Sequence, residues 1–358
     1  MSLRTLSIAL ACSALTALAV TPARAETDPA VIAHGYKAPR DAWGRPDLTG
    51  TWSPATITRL ERDPKLGDRL VLTAAEAKAL EGATADNNAQ ASKPTDQKLS
   101  VDEVDCGVKG FSGVACGYNN FWVDPGTKVM RIAGEPRSSI IVSPKDGRLP
   151  MKPEALARER AAFGNAQVGN FDGPERRPLA ERCLVGFGST SGPPMLPVLY
   201  NNHYAIAQSK DQVAIQVEMV HDLRLLRVGG PHEPASIRKW MGDSVARWQG
   251  ETLVVDTVNF RPDQTFRGAG ANMHVIERLT RISPTQMLYQ FRVEDPDTFA
   301  EPVSGEEAWN LTKDHIYEYA CHEGNYALPG ILGGARRAEQ QGKEMEGNRG
   351  QVKEEGER

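Results

Sequence analysis

Past Ala25 the chain contains no apolar run long enough to cross a bilayer as a helix. It has no basic excess either. Lys and Arg number 42 against 46 Asp and Glu, a formal net charge of −4. No domain-wide positive field is therefore available to pair with nucleic-acid phosphates, and an anionic membrane surface is disfavoured for the same reason. Common catalytic signatures are missing: there is no G-x-S-x-G elbow, no phosphate-cradling glycine loop and no haem-attaching C-x-x-C-H. Cysteine is scarce, five in 358 residues, with no C-x-x-C pair to mark a zinc site. What remains, 40% hydrophobic and 25% charged, is an ordinary globular composition. The length suits one large domain or two small ones.

The first residues read as a targeting segment. Arg4 supplies a positive start, Leu6–Val20 is apolar, and Ala23-Arg24-Ala25 has the small-x-small pattern of a cleavage site. Residues 1–25 are therefore expected to be a signal peptide cleaved after Ala25, with the mature chain periplasmic or secreted. Cys12 lies inside the apolar run, where a lipoprotein anchor fits poorly. The mature chain keeps Cys106, Cys116, Cys183 and Cys321. An even number in an oxidising compartment points to two disulfides, with three pairings possible. The simplest joins Cys106 to Cys116 across a short Gly-rich loop and Cys183 to Cys321 across a long one. The long loop would be worth ~4–5 kcal/mol on chain entropy.

The mature chain divides into three. Residues 26–197 form an irregular α+β region expected to pack on the rest. In it, Arg45–Trp52 is a turn entering a short strand, and Thr73-Ala74-Ala75-Glu76 is a capping box opening a helix through Leu80 that Gly82 can stop. Ala83–Asp105 reads as a polar loop, Arg137–Val142 as a strand, Pro153 to about Phe163 as a helix, and the Pro/Gly-rich 171–197 as a loop. From Val198 the hydrophobic period becomes two. Strands are predicted at His203–Ser209, Val213–Val220, Leu223–Val228, Val245–Trp248, Leu253–Phe260, His274–Ile282, Met287–Glu294, Trp309–Lys313 and His315–Ala320. Residues 198–332 are thus expected to be mainly β, an antiparallel up-and-down sheet or a closed barrel able to enclose one small ligand. Residues 333–358 read as a charged helical and disordered tail.

Alternation also assigns faces. Val213, Ile215, Val217, Met219 and His221 share one, so His221 prolongs an apolar face. Asp256 shares a face with Val254, Val258 and Phe260. His274, Ile276 and Arg278 lie on one side of their strand and Glu277 on the other. A charge taken from water must be paired or neutralised. These residues are either cross-strand ion pairs on a solvated wall or a polar cluster in or at the mouth of a barrel. Glu218/His221 and His274/Glu277 have i, i+3 spacing, which chelates a metal on a helix but points opposite ways on a strand. No metal or cofactor is therefore expected. Cys321-His322-Glu323 looks like a catalytic string, but an oxidised Cys321 cannot be a nucleophile.

The strings RPDLTGTW (45–52), EMVHDLR (218–224), WMGDS (240–244), WQGETLVVDTVNF (248–260), HVIER (274–278) and YEYACHEGNY (317–326) resemble a family of exported bacterial proteins with no established activity. The resemblance covers most of the mature chain and implies a periplasmic or secreted setting, but it transfers no catalytic residue. By topology alone the C-terminal half is similar to the lipocalin-like superfamily. That implies either a carrier of hydrophobic ligands or a cofactor-free lyase, isomerase or cyclase.

Three functions follow. The first is a cofactor-independent lyase, isomerase or hydrolase acting on a small aromatic or apolar molecule. His221 and His274 would be its acid and base, Glu218, Asp256 or Glu277 would orient or share the proton, and Arg278 would stabilise negative charge. The second is a ligand carrier in which only the apolar wall matters. The third is a partner-binding envelope protein, suggested by the polar arm and charged tail. Oligomeric state is open.

Overall fold

Period-two segments joined by short turns curl into a ring when each strand pairs with the next and the first meets the last. A computed structural model shows this closure and describes residues 35–92, 123–168, 171–262 and 266–342. In chain order the strands are β1 (Gly50–Ser53), β2 (Arg131–Ile132), β3 (Glu135–Pro136), β4 (Ile141–Ser143), β5 (Tyr204–Gln208), β6 (Gln212–Val217), β7 (Leu223–Val228), β8 (Asp243–Gln249), β9 (Thr252–Val258), β10 (His274–Arg281), β11 (Gln286–Glu294) and β12 (Val303–Thr312). The helices are α1 (Ala74–Ala91), α2 (Pro153–Val168) and α3 (Ala327–Gln340).

β5 to β12 pair in sequence, and β1 closes the ring by pairing with both β5 and β12. The result is a closed nine-strand barrel, with one stave supplied by the RPDLTGTW segment. β4 is added to the far end of β12, and β2 and β3 form a separate two-stranded sheet. The ring is antiparallel except at β7–β8, which run parallel for two residues because 229–242 carries the chain back before it re-enters the sheet.

Aromatic side chains fill the interior. Tyr289 stacks on Trp309 at 4.6 Å between ring centroids, and Tyr204 lies 4.6 Å from the same indole at a tilt. All three are buried, as is Trp52 beside them on β1. Burial of side chains this large stabilises the ring by roughly 1.5–3 kcal/mol each. Gly305 makes room for Phe291, since a Cβ there would fall 2.2 Å from that ring. The loop before β5 reaches into the barrel: Met195 is fully buried and its N–H donates to Tyr289 Oη at 2.8 Å, while Tyr204 Oη donates to Thr190 O at 3.1 Å.

Several boundaries differ from expectation. The capping box at Thr73 and Glu76 forms, but α1 continues past Gly82 to Ala91. One glycine costs a helix only about 1 kcal/mol, which the following Ala-rich turns outweigh. α2 likewise runs on to Val168. β6 stops at Val217, and Trp309–Lys313 is only the end of a ten-residue β12. His315–Ala320 is not a strand. Thr312 Oγ1 donates to Asp314 Oδ2 at 2.6 Å and accepts from Asp314 N at 3.0 Å. That turn takes the chain off the sheet and across one end of the barrel. Cys106 and Cys116 lie outside the described residues. Among the described residues no helix is long and apolar enough to cross a membrane.

Candidate functional site

The β5–β6 hairpin places the site. Its turn, closed by Ser209 N donating to Gln212 O at 2.8 Å, sets Tyr204 opposite Val217. His203 and Glu218 therefore face each other one rung further on, and Glu218 N–H donates to His203 O at 3.0 Å. There β6 ends. Glu218 takes helical dihedrals and folds its buried carboxylate back beneath the strand. Oε2 lies 2.8 Å from His203 Nδ1 and accepts from His203 N at 3.3 Å, while Oε1 accepts from Tyr317 N at 3.2 Å. The hydrogen bond to Glu218 holds the His203 imidazole above its ordinary pKa despite burial. Burial pushes the Glu218 carboxyl up, but the bonds from His203 and Tyr317 outweigh it and hold the group below its ordinary value. The other ring nitrogen, Nε2, lies 3.8 Å from Asp314 Oδ2, beyond hydrogen-bonding distance.

This pair lines a groove of about 1250 Å³ at the end of the barrel. Residues 200–203 form one side, 317–321 another, and Ala327, Leu328 and Ile331 of α3 supply an apolar wall. A disulfide between Cys183 and Cys321, with Cα atoms 5.8 Å apart, pins the 317–321 segment, as the sequence anticipated. Asn325 Nδ2 donates to Glu181 O at 2.7 Å and braces the same corner. α3 itself is lightly held. Ala335 is its buried residue, and Gly330, Gly333 and Gly334 would each meet nothing within 4 Å if given a Cβ.

The six residues singled out from the sequence lie in different surroundings. Glu218 belongs to the groove. His221 does not extend the apolar strand face. Val220 and His221 have φ of 59° and 47°, which turns the imidazole outward, where Nδ1 donates to Tyr319 O at 2.8 Å. His274 and Asp256 are together on the outer wall, Nε2 to Oδ1 2.9 Å, with His232 Nε2 3.4 Å from the same oxygen. Arg278 is on that wall too, its Nη1 donating to Gln249 Oε1 at 3.3 Å. Glu277 points inside. It accepts from Arg224 Nη1 and Nη2 at 2.8 and 2.7 Å and from Tyr289 Oη at 2.8 Å. Paired and buried, it is out of reach of His274.

His203 is the candidate residue that face-by-face reading passes over, because it heads a strand rather than sitting within one. The available signal was the register: a turn at Lys210-Asp211 fixes 203 against 218. Among the described residues no group of three or more His, Cys, Asp or Glu is arranged to hold a metal ion. No family model, curated protein or solved structure matches the chain. Fold and groove together define a closed β-barrel protein with a disulfide-pinned groove and a His–Glu pair at one end.

Proposed function

We propose that the chain is an exported, cofactor-independent enzyme of the lyase, isomerase or hydrolase type, acting on a small aromatic or apolar molecule seated in this groove. The observation that carries the reading is the geometry of His203. Its Nδ1 is fixed by a buried carboxylate at 2.8 Å while Nε2 stands beyond hydrogen-bonding distance of Asp314. Glu218 selects the tautomer with hydrogen on Nδ1, so the neutral ring presents the Nε2 lone pair as a base. Once protonated, the same nitrogen is a general acid, and Glu218 stabilises the imidazolium. One residue can thus take a proton from the substrate or from water and return it later. The carboxylate orients the ring, and the apolar wall of α3 supplies contact for the substrate body.

Export rests on residues 1–25, which lie outside the described part of the chain. The Cys183–Cys321 disulfide supports it. The apolar wall also suits a carrier. Turnover screening against ligands identified by native mass spectrometry separates the two readings. For an enzyme, His203→Gln lowers turnover by about 10²- to 10⁴-fold with binding retained. A ligand that binds but is never converted makes the protein a carrier.

A further inference from the structure

We propose that the groove selects an organic cation, an amine or quaternary ammonium on an aromatic or aliphatic body, and rejects carboxylates and phosphates. This rests on the groove being the substrate site. Every formally charged residue that lines it, apart from His203, is an acid: Asp124, Glu181, Glu218 and Glu318. No Lys or Arg lines it among the described residues. Glu181 is engaged by Arg177 at 2.8 and 3.0 Å and Glu218 by His203, so those two charges are already matched. Asp124 and Glu318 face the groove with no salt-bridging cation within 4.0 Å among the described residues, and Asp314 adds a third carboxylate beside His203.

The field therefore favours a positive ligand, and the neutral surface is built to match. Tyr200, Tyr317 and Tyr319 line the same space, and aromatic faces attract ammonium groups through their quadrupole. An opposing contribution comes from the N-terminus of α3, which opens on the groove and carries about half a positive charge. It is weakened because Asn325 Oδ1 accepts the Leu328 N–H at 3.2 Å. Half a charge, partly capped, does not reverse two or three carboxylates.

Calorimetric titration of the full-length mature protein with benzyltrimethylammonium and with benzoate tests this. The cation is expected to bind and benzoate not to. Binding of the cation should weaken about five- to tenfold in Asp124→Asn/Glu318→Gln, and by a similar factor between low and high salt, as expected for partly exposed charges. Asn at 124 keeps the acceptor for Gly126 N, so the turn there is preserved. Ala327→Trp, which fills the groove without altering charge, separates the two levels of the argument. Equal binding of both probes, abolished by Ala327→Trp, overturns the charge selectivity and leaves the groove as the binding site. Cation binding that survives Ala327→Trp overturns the groove reading and this inference with it. Failure of the cation to bind at all overturns the selectivity outright.

Discussion

His203 and Glu218 face each other one rung beyond the last pair of the β5–β6 hairpin, and their side chains meet at 2.8 Å where the ladder stops. Glu218→Gln keeps the shape and removes the charge. The His203 pKa, read from imidazole carbon shifts in NMR titration, is expected above the ordinary 6.5 in the native chain and to fall in the variant. If His203 acts as a base, the rate rises with pH through that same value and the profile moves to lower pH in Glu218→Gln.

The pair also predicts how stability depends on pH. A lowered carboxylate pKa gives stability that is lost as pH falls through it, and a raised imidazole pKa gives stability that is lost as pH rises through it. Native protein should exceed His203→Gln in urea stability by the widest margin at mildly acidic pH, with the gap narrowing on either side. A constant difference from pH 4 to 9 would rule out the ion pair.

Arg224 and Glu277 are both buried and bonded bidentately inside the barrel. Removing one partner strands the other charge. Glu277→Gln or Arg224→Met is expected to cost ~3–5 kcal/mol by chemical denaturation, while Arg224→Met/Glu277→Leu should recover much of that loss. If the double variant is as unstable as the sum of the singles, the cost comes from packing and not from the pair.

Burial pushes the Glu307 carboxyl up to about 8, with Trp309 Nε1 alone among the described residues donating to it. An acid that is ionised when unfolded and neutral when folded loses stability as pH rises from its unfolded value to about 8. Glu307→Gln, neutral at every pH, should therefore raise the melting temperature at pH 8 and leave it nearly unchanged at pH 4. A tenfold change in proton affinity on folding is worth about 1.4 kcal/mol, so an effect of a few kcal/mol is the expected scale.

Cys183→Ala/Cys321→Ala should lower stability by up to about 5 kcal/mol, since the bridge joins positions 138 residues apart. The more specific outcome is local. Amide exchange at Tyr317, whose N–H is bonded to Glu218, should quicken more than exchange in β9 or β10.

Where side chains alternate against their immediate neighbours, the strands could be read directly, and β7 falls on 223–228 as its Leu/Arg pattern implies. The opening of β12 was hidden. Glu306 and Glu307 occupy inward or covered positions; Glu307 is met by Trp309 of the same strand, but Arg137, the partner of Glu306, is supplied only by the fold. His221 was misplaced because a β-branched residue, Val220, adopts a positive φ that local preference argues against. Half of the groove pair was visible as Glu218. The other half required carrying the hairpin register one residue beyond the apolar run, where hydrophobic period carries no information.

The three glycines of α3 have a thermodynamic consequence. Each lowers helix propensity by about 1 kcal/mol relative to alanine, and no close contact at any of them requires the absence of a side chain. A helix of 14 residues on that composition is marginal without its packing on the groove. The molecule therefore joins a closed, hydrogen-bonded ring with no free edge in its wall to one rim segment whose local unfolding is far easier than the global transition. Melting of α3 would remove one apolar wall of the groove and leave the hydrogen bonds of the ring in place.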